Sequence, residues 1–267
     1  MAERDRLHDL RRNYVSLRLR TCHDPIGLLI ENQTPLPKSL GIIMDGNGRW
    51  AQHHGVSVPE GHKAGAKRMA DIFKACYRLP IDTIVVWAMS PDNFEKRDPA
   101  EIQGLMGLTL AYLQHLLPEF HENGVRFVHL GRKEGLPAQV ITALEAAECE
   151  TKENTKQKIA LALNYDGRIE ALDGIRRTAE AVARGELLEL TDETLAPFLD
   201  PYNIGLLDML IRTSGQMRPS GIGRIANNAE WFFPKTLMPD YTPRHLALAF
   251  LEYSFRDIRR GGRPSRK

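Results

Sequence analysis

Asp45, Gly46, Asn47, Gly48 and Arg49 combine the side chains and the backbone freedom that an anion site needs. They follow the apolar run Ile42-Ile43-Met44 and lead through Trp50 into a helical pattern. A buried strand that ends in a small-residue turn and feeds a helix N-terminus points its backbone N–H groups outward. The helix dipole favours negative charge there. Arg49 adds a planar fork of donors suited to phosphate oxygens. Asp45 repels such a ligand unless a cation lies between them, so it points to a divalent metal such as magnesium. The spacing is neither the Walker pattern, which ends in Gly-Lys-Ser/Thr, nor the dinucleotide pattern of three spaced glycines. Alone, the glycines fit equally well a turn that only requires tight geometry.

A second anion cradle reads from Arg212-Thr213-Ser214-Gly215-Gln216-Met217-Arg218-Pro219-Ser220-Gly221, after the apolar run Met209-Leu210-Ile211. Arg212 and Arg218, with hydroxyls and glycines between, can clamp a diphosphate from two sides. Two cradles call for two phosphorylated substrates, or one phosphorylated at both ends. His62, on the helix after the first cradle, is a candidate diphosphate contact. His53 and His54 lack a third ligand and read as surface residues. Ser90 and Asn93 either orient a substrate and relay a proton or simply cap a turn. No spacing supports a nucleophilic triad.

Apolar runs alternate with helical patterns from Ser39 onward. Strands are expected at Leu40 to Met44, Ile81 to Met89, Val125 to Leu130, Ile159 to Asn164, Leu207 to Arg212 and Ala229 to Phe233. Helices are expected at Pro59 to Arg78, Ala100 to Phe120, Ala138 to Glu150, Gly167 to Arg184 and Thr242 to Arg260, with Ser90 to Pro99 as a polar loop. This alternation predicts an α/β fold with a mostly parallel sheet flanked by helices, whose ligand sits at the carboxyl ends of the strands. Asp45, Ser90, Asn164 and Arg212 all fall at such ends. Residues 1–38 form a separate basic extension before a single unit at 39–267. In the extension, Leu7, Leu10, Tyr14 and Leu17 recur at helical spacing among arginines. That face is expected to pack on the domain, with contact to an anionic membrane surface as the alternative.

The 267 residues carry a net charge of +2 and a hydrophobic fraction of 42%, which suits a globular chain and gives no whole-chain argument for nucleic acid. Cys22, Cys76 and Cys149 lack metal-ligand spacing and read as reduced, mostly buried thiols of a cytoplasmic protein. No run is long and apolar enough to span a membrane, so at most peripheral membrane contact is expected.

Several of these segments resemble one family. Met44-Asp45-Gly46-Asn47-Gly48-Arg49-Trp50-Ala51 and Gly61-His62-Lys63-Ala64-Gly65 are similar to the opening signature of the cis-prenyltransferases, the undecaprenyl diphosphate synthase family. Ser90 to Arg97 resembles that family's Ser-x-x-Asn-Trp loop, and Asn164 to Arg168 its Asn-Tyr-Gly-Gly-Arg segment. Asp208 to Ser220 resembles its Arg-Thr-Gly-Gly-x-x-Arg-x-Ser loop, and Arg256 to Gly262 its C-terminal Arg-x-x-Arg-x-Gly-Gly. The resemblance covers about residues 39–262 in the family's order.

It implies a homodimer with a six-stranded, mostly parallel sheet and a hydrophobic tunnel for a growing chain. It also implies a magnesium-dependent enzyme that joins an allylic diphosphate to isopentenyl diphosphate. Carried over by position, Asp45 is catalytic and binds magnesium, and Glu230 completes the metal site. Gly46, Asn47, Gly48, Arg49, Trp50 and His62 belong to the allylic diphosphate site. Ser90 and Asn93 help deprotonation, with Phe94 where the family has tryptophan. Arg212, Arg218 and Ser220 grip the second diphosphate.

The chain departs from the family pattern at Val58, where an arginine is usual, and at Ser214, Gln216 and Met217 in place of glycine, glutamate and histidine. After Ser220, Gly221-Ile222-Gly223-Arg224-Ile225-Ala226-Asn227 replaces Asn-Phe-Leu-Leu-Trp. The second-substrate site is therefore expected to be reshaped. One alternative is irregular head-to-middle coupling with dimethylallyl diphosphate as acceptor, giving lavandulyl-type skeletons. Others are a lyase or cyclase acting on one prenyl diphosphate, and a non-catalytic partner subunit.

Overall fold

Ile42 and Ile43 are consecutive, both buried, and belong to hydrophobic clusters on opposite faces of one sheet. Side chains alternate across a strand, so a run that is apolar at every position needs cover on both faces. The computed structural model describes residues 2–200 and 204–258, apart from the side chains of residues 2–9 and 11. Its strands are β1 (Ser39–Ile43), β2 (Thr83–Met89), β3 (Val125–Leu130), β4 (Gln157–Leu163), β5 (Met209–Arg212) and β6 (Glu230–Phe232). They pair in the order β3-β4-β2-β1-β5-β6, every pairing parallel. The expected mostly parallel six-stranded sheet is thus present and wholly parallel.

Leu40, Ile42, Ile84, Val86, Ile159, Leu163, Met209 and Ile211 face the larger cluster. It is covered by α4 (Val58–Cys76), α6 (Pro99–Glu122), α7 (Ala138–Thr151) and α10 (Pro243–Ser254). Ile43, Val85, Ala160, Ala162 and Leu210 face the smaller cluster, with Ile222, Ile225 and Ala226 of the loop after β5. Each fully buried valine, leucine, isoleucine or methionine among them contributes about 1.5–3 kcal/mol. The remaining helices are α1 (Ala2–Thr21), α2 (Pro25–Glu31), α3 (Asn47–His54), α5 (Pro91–Lys96), α8 (Gly167–Ala183) and α9 (Asp192–Leu195).

Helix starts follow local chemistry. Ser57 donates from its backbone N and its hydroxyl to Glu60 Oε2 at 2.8 and 2.7 Å, and Pro59 occupies the first turn of α4. The expected polar loop at Ser90 to Pro99 contains a helical turn instead. Pro91 presets its first residue, and Asn93 Oδ1 accepts from Ser90 N at 3.1 Å. The last helix ends at Ser254 rather than near Arg260, and the Arg260-Gly261-Gly262 segment lies outside the described residues.

The N-terminal expectation needs correction. α1 is present, but Val15 and Leu19 are the side chains buried by packing, while Leu10, Tyr14 and Leu17 are 58, 59 and 66% exposed. Leu7 lies among the undescribed side chains. The cysteines were also expected to be mostly buried. Cys76 is buried and its thiol is pushed up to about 12, but Cys22 is half-buried and Cys149 exposed.

Candidate active site

The β1–β5 pairing joins the two cradles. Ile43 stands opposite Arg212, so the residues that follow each strand meet above the sheet. Arg212 donates from Nη2 and Nε to Asp45 Oδ2 at 2.8 and 3.2 Å. Its Nη1 donates to Arg218 O at 2.8 Å and Ser220 Oγ at 2.6 Å. Thr213 Oγ1 accepts from Asp45 N at 2.9 Å and donates to Asp45 O at 2.6 Å. Arg49 reaches from α3 to Ser214 Oγ at 2.6 Å and to Asp45 Oδ1 at 3.4 Å. Hydrogen bonds therefore join Asp45, Arg49, Arg212 and Ser220, whereas Asn164, expected at the same site, donates to Arg132 O and Glu134 O at 3.1 and 3.0 Å.

Two backbone positions make this approach possible. Gly46 has φ of 104°, and a Cβ there would lie 3.0 Å from Ser214 Cβ and 2.8 Å from Leu237. Ser214 itself has φ of 75°, a left-handed conformation that costs a non-glycine residue about 1–2 kcal/mol. The hydroxyl it places against Arg49 is the return for that strain. Arg218 is exposed, and its guanidinium donates to Gln216 Oε1 at 2.6 Å.

Beside the cradle, α3 crosses α4 closely. A Cβ on Gly61 would lie 2.4 Å from Asn47 O, and one on Gly65 2.2 Å from Asn47 Oδ1. Asn47 Oδ1 is buried without a hydrogen-bond partner. Asn47 Nδ2 is 3.5 Å from His62 Nδ1, and His62 Nε2 is 3.3 Å from Glu101 Oε1. Arg97 donates to the same Glu101 oxygen at 3.0 Å. Burial pushes the His62 pKa below its ordinary value, against the pull of Glu101. Sequence reading did not single out Glu101, and it quoted Arg97 without a role. Arg97 closes the polar loop and Glu101 opens the next helix, and a pair of opposite charges four residues apart looks like any surface ion pair.

Met44, Asn47, His62 and Arg97 also line a cavity of about 170 Å³. The rest of its wall is mainly apolar, with Ala66, Met69 and Phe73 on α4, Leu105, Leu113, Leu116 and Phe120 on α6, and Phe127 on β3. From His62 to Phe73 the wall follows α4 for roughly 16 Å at 1.5 Å per residue.

Other expected site residues stand apart. Trp50 donates its indole N–H to Asp240 at 2.9 Å and stacks on His54 with centroids 4.0 Å apart, so its donor is used away from Asp45. His53 and His54 are exposed, as expected. Ser90 and Asn93 sit at the carboxyl end of β2, which neighbours β1, and Phe94 is half-buried against the larger core cluster. Gly48 has open space where a Cβ would be. Glu230 corrects an expectation within this chain. It pairs with Met209, three positions before Arg212 and so about 10 Å toward the opposite end of the sheet. Its carboxylate accepts from Arg256 Nη1 at 2.8 Å, and that guanidinium lies 3.7 Å over the Phe232 ring. Among the described residues no group of three or more His, Cys, Asp or Glu is gathered for a metal.

Comparison with known proteins places this geometry. The undecaprenyl diphosphate synthase (Prenyltransf) family model matches residues 43–261. Isoprenyl transferase 2 of Corynebacterium glutamicum is 38% identical over 229 residues, covering 85% of this chain and 94% of that one. A trans,polycis-polyprenyl diphosphate synthase of Thermobifida fusca, (2Z,6E)-farnesyl diphosphate specific, is 38% identical over 230 residues, covering 85% and 81%. Among solved structures, lavandulyl diphosphate synthase from Lavandula x intermedia, in complex with dimethylallyl diphosphate, superposes with a TM-score of 0.79 at 29% identity, covering 85% of this chain and 98% of that one.

Proposed function

This chain belongs to the undecaprenyl diphosphate synthase family of prenyltransferases, and from that premise we propose how its own residues divide the work. It is an isoprenyl transferase that condenses prenyl diphosphates. The observation that carries the residue assignment is the contact of two cationic cradles across the β1–β5 seam, next to an apolar cavity.

Arg49, the backbone N–H groups of Gly46 to Gly48, and Asn47 hold the allylic diphosphate, with its tail in the cavity walled by α4 and α6. His62, neutral because of burial, is fixed by Glu101 and steadies Asn47. Arg212, Arg218 and Ser220 hold the second diphosphate. The allylic C–O bond breaks and the diphosphate leaves with its electron pair. The double bond of the second substrate attacks the cation-like carbon, a new C–C bond forms, and a proton is lost. The released diphosphate takes this proton, and Ser90 and Asn93, at the carboxyl end of β2, orient the transfer. The protein mainly positions and neutralises.

Asp45 fits a magnesium ion brought in by a diphosphate better than a resident metal, because among the described residues no carboxylate cluster surrounds it. When bound, magnesium supplies charge neutralisation for the departing diphosphate. We further propose a homodimer working in the cytoplasm, with residues 39–267 as one catalytic unit and 1–38 as its extension. Glu230 then joins a metal site only if the dimer or a rearrangement brings it there.

The test is a product assay by mass spectrometry with magnesium. One sample holds an allylic diphosphate and isopentenyl diphosphate; another holds dimethylallyl diphosphate with or without geranyl diphosphate and no isopentenyl diphosphate. Product only in the first supports regular elongation, and its mass gives the chain length. Product mainly in the second replaces it with irregular coupling through the reshaped loop after Ser220.

A further inference from the structure

Helix α1 lies outside the residues matched by the family model, which begin at 43, and contributes nothing to the site described above. It is nonetheless fixed to the domain. Val15 and Leu19 are buried, and α1 packs on α10. Arg244 donates from Nη1 to Leu19 O at 2.6 Å and from Nη2 to Cys22 O at 2.8 Å. Arg12 lies over the Phe255 ring at 5.7 Å.

Docking leaves a second apolar stripe facing outward. At about 100° per residue, Leu10, Tyr14 and Leu17 fall within roughly 60° of one another, on the side away from Val15 and Leu19. All three are more than half exposed. The same geometry sets Arg18 on one flank and Arg20 on the other, and the Arg18 guanidinium lies 5.9 Å from the Tyr14 ring. From residue 10 to residue 21 the chain has four arginines and no aspartate or glutamate, although the whole protein is only +2. Over the whole of α1, six arginines stand against Glu3, Asp5 and Asp9, a net of +3, and the half that exposes the stripe carries the excess.

An apolar stripe flanked by arginines on a helix whose opposite stripe is docked on the domain is the chemistry of an interfacial helix. The apolar side chains enter the boundary between headgroups and acyl chains, and the guanidiniums meet anionic headgroups. We infer that α1 docks the protein on an anionic lipid surface through Leu10, Tyr14, Leu17, Arg18 and Arg20. A second copy of the stripe is a poorer occupant, because it would bring two arginine-flanked rows together. No helix among the described residues is long and apolar enough to cross a membrane, so the contact is peripheral. The inference does not rest on the catalytic assignment, since docking is read without substrate.

The experiment is co-sedimentation of the full-length protein with phosphatidylcholine vesicles that contain or lack phosphatidylglycerol, at physiological and at high ionic strength. The expected result is binding to the anionic vesicles that weakens with salt. Leu10→Ser/Leu17→Ser should abolish it, and Arg18→Gln/Arg20→Gln should weaken it roughly 30-fold. Both variants should keep their thermal unfolding midpoint and their turnover of short soluble substrates. Equal binding to both vesicle types, no binding, or variants that bind like the parent would overturn the inference. So would light scattering that shows the stripe joining two copies while vesicles stay unbound.

Discussion

Arg212 grips one oxygen of Asp45 with two donors across the β1–β5 seam, at 2.8 and 3.2 Å. The other oxygen faces Arg49 at 3.4 Å. Before substrate arrives, the Asp45 carboxylate is already paired with the two arginines proposed to hold the two diphosphates. A diphosphate with its cation must redistribute these pairs. Asp45→Ala is expected to lower turnover by at least 10²-fold. The fold should persist, because Arg212 keeps Arg218 O and Ser220 Oγ. Circular dichroism beside steady-state kinetics checks both, and retained turnover would remove Asp45 from the mechanism.

The same pairing predicts how the metal behaves. With no carboxylate cluster among the described residues, magnesium alone should not raise the unfolding midpoint, whereas magnesium with inorganic diphosphate should. A chelator should stop turnover without unfolding the protein. A large midpoint shift with magnesium alone would reveal a resident site.

Ser214 trades backbone strain for its hydrogen bond to Arg49. Ser214→Gly should raise stability by about 1 kcal/mol through relief of the left-handed strain and raise the Michaelis constant for the allylic substrate through loss of the hydroxyl. Unchanged kinetics would mean that the hydroxyl does not hold Arg49 in place.

The Arg218 side chain is exposed and donates to Gln216, while Arg212 is buried in the seam. Arg218→Ala should raise the Michaelis constant of the second substrate several-fold and leave stability unchanged, as expected of a surface arginine. An unchanged constant would remove Arg218 from the second cradle.

His62, His129 and His245 are each held below the ordinary histidine value by burial. The unfolded chain then binds more protons than the folded one between these lowered values and about pH 6.5, so stability rises with pH through that window and is lost on acidification. Glu170, pushed above the usual carboxylate range by burial, acts in the opposite sense. The clean readout is therefore a difference. His129→Gln, whose amide can still donate to Leu163 O, should show a smaller fall in unfolding midpoint between about pH 7 and 5.5 than the parent. An equal fall would exclude His129 as a contributor.

The sheet and the meeting of the cradles were legible because both follow from apolar runs that stop at polar residues, as at Met44-Asp45 and Ile211-Arg212. The active face of α1 was not. Leu10-Tyr14-Leu17 and Val15-Leu19 are two stripes of the same period, and only the groove beside α10 decides which one is buried. Within this chain Glu230 stands away from Asp45, which motif order could not show because it carries no strand register; its pairing with Met209 sets it at the opposite end of β5 from Arg212. Glu101 escaped notice because its link to His62 spans 39 residues and two helices.

β1 pairs on one side with β2, its next strand in the chain, and on the other with β5, near the chain's end. During synthesis the first half of the site is therefore made long before its second half exists. At about 5–20 residues per second, the 169 residues from Ile43 to Arg212 impose a wait of roughly 10–30 s. Through that interval Asp45 has no Arg212, and one edge of β1 has no strand beside it. The nascent enzyme thus has at its centre an unpaired strand edge of free N–H and C=O groups, where a chaperone would have most to shield.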